Sequence, residues 1–115
     1  MHYVDIFIAA VPEANKASYT DHAERMGQVF KDHGAIEVVD VWGDDVPQGE
    51  TNSFHTAVMR QDGETIASGW VVWPDKATRD KGMESMMSDP RMQEEDMPFD
   101  GKRLIFGGFQ KIVDL

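Results

Sequence analysis

The sequence predicts an α+β domain in which an antiparallel sheet carries two helices on one face. Three observations predict it. Segments rich in β-branched and aromatic residues recur at 3 to 11, 36 to 42 and 65 to 73 and again near the C-terminal end. Two stretches between them repeat apolar residues every three or four positions. Taken together the order is β-α-β-(β)-β-α-β, the split βαβ of ferredoxin-like folds.

The first strand is "YVDIFIAAV", and Pro12 then opens a helix, where a missing N–H is harmless. Tyr19, Ala23, Met26, Val29, Phe30 and His33 form one buried stripe, and Gly34 suits a left-handed C-terminal cap. "IEVVDVW" is the second strand, followed by the polar loop "GDDVPQGETNS". "FHTAVM", 54 to 59, reads as a short strand or as a resumption of strand two, with a hairpin at Asp62-Gly63 leading into "TIASGWVVW". A second helix from about Asp75 to Ser88 places Met83, Met86 and Met87 on one face and stops before Asp89-Pro90. The acidic stretch "RMQEEDMPFDG" then leads to a long final strand holding Gly107 and Gly108 between Phe106 and Phe109.

Alternate residues of a strand point to opposite sides, and here both sets are apolar. Val4, Ile6 and Ile8 oppose Tyr3, Phe7 and Val11; Ile66, Trp70 and Val72 oppose Ala67, Val71 and Trp73. Right-handed crossovers put both helices on one side. The other face would leave an apolar patch larger than a monomer tolerates, so a second copy of the sheet is expected to cover it as a homodimer.

With 11 basic and 21 acidic side chains the net charge is −10, which opposes attraction to nucleic acid or anionic lipid. The chain has no cysteine, which removes disulfides, thiolate nucleophiles and cysteine-bound metals. No apolar run approaches membrane-spanning length, and Asp5 and Pro12 make the N-terminal run a strand rather than a signal peptide. The expectation is a soluble, cytoplasmic domain with no metal and no cofactor.

"DDVPQG", "WPDKATRD", "SDPRM", "MPFDGKR" and "GGFQKIVDL" resemble the YbaA-like proteins, a small bacterial family of unknown function related to the dimeric α/β-barrel superfamily. The resemblance spans nearly the whole chain and is most specific at its ending. It implies a ferredoxin-like protomer and a dimeric α/β barrel closed by two sheets. It implies no established activity or catalytic residue.

The candidate chemistry rests on few residues. Asp5 interrupts an apolar strand, so it is either wet at a strand end or a paired carboxylate able to act as a base, and Asp40 in the second strand has the same two readings. His55, alternating with Ala57 and Met59, is a core or interface histidine or a general base. Trp70, beside Ser68, is expected to face the barrel interior, where it would pack in the core or stack on a planar ligand. A β-bulge at Gly107-Gly108 would bring Phe106 and Phe109 to one face, curving the sheet or leaving room for a ligand beneath the rings. His22 and His33 share a helix face but lie roughly 16 Å apart along it, too far to chelate one ion. "DDVPQGE" and "QEED" lack calcium-loop spacing and read as solvated acidic surface. Lys102 and Arg103 beside Asp100 would hold a small anion or form a cross-strand ion pair. Two function classes follow: a hydrophobic small-molecule pocket in the barrel, in a binding protein or a cofactor-free enzyme, and a non-enzymatic dimeric regulatory or scaffold module. A ligand-sized cavity favours the first.

Overall fold

The computed structural model describes residues 2–93 and 97–115. Its main elements are β1 (Tyr3–Pro12), α1 (Lys16–Asp32), β2 (Glu37–Trp42), α2 (Phe54–Ala57), β3 (Glu64–Trp73), α3 (Lys76–Met86) and β4 (Ile105–Gln110). The four strands form one sheet in the order β2-β3-β1-β4, every neighbouring pair antiparallel. This is the ferredoxin-like arrangement expected from the element order. Gly34 takes φ +114° directly after α1, the left-handed position expected there, and the Asp75 carboxylate caps α3 by accepting from the Thr78 N–H at 2.7 Å.

Both long helices lie on one face. Val29, Ala35, Val71, Trp73 and Met86 make one buried cluster there, and Ala9, Val11, Tyr19 and Ala67 make a second. Met87, expected on the buried stripe, is instead 78% exposed. The turn at α3's C-terminal end carries it past the sheet.

The segment 54 to 59 is not a strand. Its first four residues form α2, because Ser53 caps it: the Ser53 hydroxyl accepts from the Thr56 N–H, and the Thr56 hydroxyl accepts from the Ser53 N–H, both at 3.1 Å. His55 therefore sits on a helix and no hairpin precedes β3, although Gly63 does turn the chain at φ +83°. This segment also supplies a cover that the strand pattern did not foresee. Val46 and Val58 pack on Ile8, Ala10 and Ile66, sealing one end of the sheet face opposite the helices. The remainder of that face stays open, with Ile6, Val41, Ile105 and Phe109 exposed.

No bulge interrupts the glycine pair. Ile105 to Gln110 pair with Ile8 to Tyr3 one for one, so Phe106 faces the helices and Phe109 the open side. The two glycines have different reasons. A Cβ on Gly108 would lie 2.7 Å from Cε2 of Tyr3, whose ring crosses the strand at that point. A Cβ on Gly107 would meet only the Phe109 ring at an ordinary 3.5 Å. Gly108→Ala is therefore expected to lose about 1–3 kcal/mol by overpacking, and Gly107→Ala to stay within about 0.5 kcal/mol. Urea unfolding of the two variants checks the difference. Beyond Gln110 the chain leaves the sheet, and Ile112, Val113 and Leu115 are exposed.

Candidate functional site: an apolar chamber beneath helix α1

Between α1 and the sheet lies a cavity of about 320 Å3. Its floor is the ring of Phe7, which lies flat because Gly69 on the neighbouring strand has no side chain; a Cβ there would come within 2.7 Å of Phe7 Cε1. The i, i+3, i+4 spacing of α1 brings Tyr19, His22, Ala23 and Met26 to one wall. Met83 comes from α3, and Met92, Met97, Phe99 and Leu104 come from the connection to β4. Four thioethers give a wall that can repack around different shapes. The connection is tied down where it matters: the Asn15 side chain donates to the Pro98 carbonyl at 2.9 Å, and Phe99 packs against Tyr19 with ring centres 5.7 Å apart. His22 meets the other side of Phe99 edge-on at 6.1 Å.

The Tyr19 hydroxyl donates to Asp40 Oδ1 at 3.0 Å. A shallower trough outside, lined in part by Lys16, Gln28, Lys31 and Trp42, shares Tyr19, Ala23 and Asp40 with the chamber, so the pair stands at the boundary between the two. Asp40 is reachable by solvent through that trough, yet its hydrocarbon surroundings raise its carboxyl above the usual range. The Tyr19 hydrogen bond and the nearby His22 offset this only in part. Tyr19 is pushed up as well, chiefly by burial and then by the Asp40 charge.

The residues singled out from sequence are distributed over both faces of the sheet. Asp5 faces the helices, where Arg79 grips it with Nε at 3.1 Å and Nη2 at 2.7 Å and the Trp73 indole donates at 2.9 Å. It is a paired structural carboxylate at the edge of the chamber, engaged by three donors. His55 lies on α2, on the far side of the sheet, and donates through Nε2 to the Val46 carbonyl at 2.9 Å. Its buried Nδ1 has no hydrogen-bond partner among the described residues. Trp70 and Ser68 share the open face with Phe109; Trp70 donates to Glu37 at 3.2 Å and Ser68 to the Phe7 carbonyl at 2.8 Å. Of the four expected ligand contacts Phe106 and Trp70 line the chamber, Phe106 with its ring on the helix side and Trp70 from a strand position whose side chain faces the open side. Arg103 forms an ion pair rather than an anion site, with both terminal nitrogens on Glu64 at 2.7 Å and Nε on Asp100 at 3.0 Å. That pairing holds the Glu64 carboxyl below its usual range. Among the described residues no group of three His, Asp or Glu is placed to hold a metal. Of the acidic stretch 93 to 96, only Gln93 lies within them.

Tyr19 and Phe99 were not identified from sequence, and Asp40 stood there only as an acid with the same two readings as Asp5. Tyr19 reads there as one more member of a helical stripe, and Phe99 falls in a loop. One signal was available: Val38, Asp40 and Trp42 alternate, so the carboxylate had to share a face with two apolar neighbours.

The chamber and its fold can be set beside known proteins. The uncharacterized protein YbaA of Escherichia coli (strain K12) is 45% identical over 116 residues, covering 99% of both chains. The protein of the same name in Shigella flexneri matches to the same extent. Among solved structures, a mutant of SnoaB, a cofactor-independent oxygenase from Streptomyces nogalater, superposes with a TM-score of 0.60. That match covers 99% of this chain and 96% of SnoaB at 13% identity, a likeness of fold alone. No helix among the described residues is long and apolar enough to cross a membrane. A family model described as a protein of unknown function, DUF1428, matches residues 2–101, and with the full-length YbaA likeness it places this chain in that family.

Proposed function

We propose that the protein is a cytoplasmic homodimer, paired through the open sheet face, in which each protomer binds a small apolar molecule in the chamber beneath α1. The observation that carries the binding reading is the chamber itself. At about 320 Å3 it falls at the small end of ligand pockets, which span roughly 300–1,000 Å3, and it joins an apolar wall to a few polar groups at one end. The barrel interior inferred from sequence becomes the dimer interface in this reading, and the ligand sits on the opposite side of the sheet. A filled, featureless core would have favoured a scaffold.

The homodimer is supported by the open face. Ile6, Val41, Ile105 and Phe109 lie exposed on it beside half-buried Val4, Val39 and Trp70, and Glu37 is the one acid among the β2 residues that point there. A second copy suits this surface because two such faces bring little charge together, although each chain carries −10.

N-phenyl-1-naphthylamine, a neutral flat fluorophore that brightens in apolar surroundings, tests the chamber. One probe per chain is expected to bind, and Ala23→Trp, which fills the wall of α1, is expected to abolish binding while circular dichroism and sedimentation stay unchanged. Absence of binding to the wild type, or binding that survives both Ala23→Trp and Met26→Trp, would overturn the reading. The activity of SnoaB supplies the reaction class to try on any natural ligand recovered: consumption of dioxygen without added cofactor.

A further inference from the structure

We infer that Asp40 is the recognition group of the chamber, accepting a hydrogen bond from the hydroxyl or N–H of a flat, neutral, apolar ligand whose rings lie among Phe7, Phe99 and Phe106. This assignment rests on the chamber reading and goes beyond it by fixing the polarity and class of the ligand.

Most polar groups that line the cavity are already engaged within the protein. Asp5 is engaged by three donors from Arg79 and Trp73. The one proton of the Tyr19 hydroxyl is directed at Asp40 Oδ1. His22 is already engaged, its ring edge-on to Phe99. That leaves the Asp40 carboxylate, a group with about four acceptor positions. Its Oδ2 has no hydrogen-bond partner among the described residues, whereas Oδ1 takes only the Tyr19 hydroxyl.

The chamber therefore presents an acceptor at an otherwise apolar wall, and a ligand complementary to it brings a donor. An anionic ligand would meet a carboxylate inside a chain of net charge −10 and is disfavoured. Aromatic rings on the floor and connection favour a flat ligand by offset or edge contacts. Phenols, enols and aryl amines share this chemistry. The Tyr19 hydroxyl holds the carboxylate in the empty chamber, and a ligand donor binds beside it or replaces it.

The test compares 2-naphthol with 2-methoxynaphthalene, which has the same rings and no donor, as competitors of N-phenyl-1-naphthylamine. In the wild type 2-naphthol is expected to bind about tenfold more tightly, the ratio expected for one hydrogen bond to a charged acceptor. Asp40→Val should bring the ratio near one while 2-methoxynaphthalene still binds within about twofold of its wild-type affinity, since only the acceptor is lost. Tyr19→Phe retains the carboxylate and should preserve or widen the ratio, which keeps the assignment falsifiable if Asp40→Val does not fold. Equal affinities in the wild type, or a ratio that survives Asp40→Val, would overturn the Asp40 assignment and leave the chamber standing. A ratio abolished by Tyr19→Phe would transfer the role to Tyr19. Failure of the fluorophore and both naphthalenes to bind the wild type would instead remove the chamber reading beneath it.

Discussion

Arg103→Ala is expected to be strongly destabilising at neutral pH, because it removes the partner of the Glu64 carboxylate. Arg103 and Glu64 have side chains only 13% and 8% exposed. The guanidinium makes two parallel bonds to the Glu64 carboxylate, one to Asp100 and one to the Met59 carbonyl at 3.0 Å. Met59 holds a positive φ of 52°, uncommon for a side chain of that size, so the same arginine pins the turn that brings α2 onto the sheet. Alanine would leave a carboxylate buried without its partner and release the turn. The melting temperature should fall with it. The pH dependence has a definite sign. The Glu64 carboxyl is held below its ordinary 4.5 in the folded protein, so the pair's contribution is fully present above that value and is lost as pH falls through the lower folded value. The gap between wild type and variant should accordingly be widest near neutrality and narrow in acid, as thermal melts across that range would show.

Phe109→Asp is expected to separate the dimer. Phe109 is 52% exposed in the protomer, so the substitution removes little intrachain packing, but it sets a charge among the apolar side chains of the open face, on its edge strand β4. A standard interface buries about 800 Å2 per partner. At roughly 25 cal/mol per Å2 of apolar area, two such faces represent a gross gain on the order of 40 kcal/mol before association costs offset much of it. A net domain stability is only about 5–15 kcal/mol. Wild-type protein should therefore sediment at about twice its 13.0 kDa chain mass and melt at a temperature that rises with concentration. The variant should sediment as one chain or fail to fold. A variant that remains a folded dimer would show that a different surface pairs the chains.

What the sequence made legible divides along physical lines. The strands, the two long helices and the end of the first depend on periodicity and on single residues such as Gly34, and these were readable, whereas Pro12 ends β1 and α1 begins only at Lys16. The alternation of β1 and β3 likewise gave the two faces of the sheet, including the separation of Trp70 from Trp73. The segment 54 to 59 was misread because alternating apolar residues in "FHTAVM" outweighed the Ser53–Thr56 capping box, a three-residue signal that decides a four-residue helix. The glycine pair was misread for a different reason. Strand weakness at Gly107-Gly108 suggested a bulge, whereas the requirement comes from the Tyr3 ring on another strand, far away in the chain. The partners of the acids were hidden on the same ground. Asp5 stayed open between a wet strand end and a paired carboxylate because Arg79, 74 residues distant, is invisible to a local reading. Asp40 and Tyr19 meet only after α1 folds back across β2.

A crystal structure of the purified protein, with its endogenous contents left in place, tests the central claim most directly. The account predicts two protomers related by a two-fold axis with Ile6, Ile105 and Phe109 buried between their sheets. It further predicts density for a flat molecule among Phe7, Tyr19 and Phe99, with a donor directed at Asp40. A chamber closed by the methionine side chains, together with an open sheet face bathed in solvent, would contradict both halves of the account.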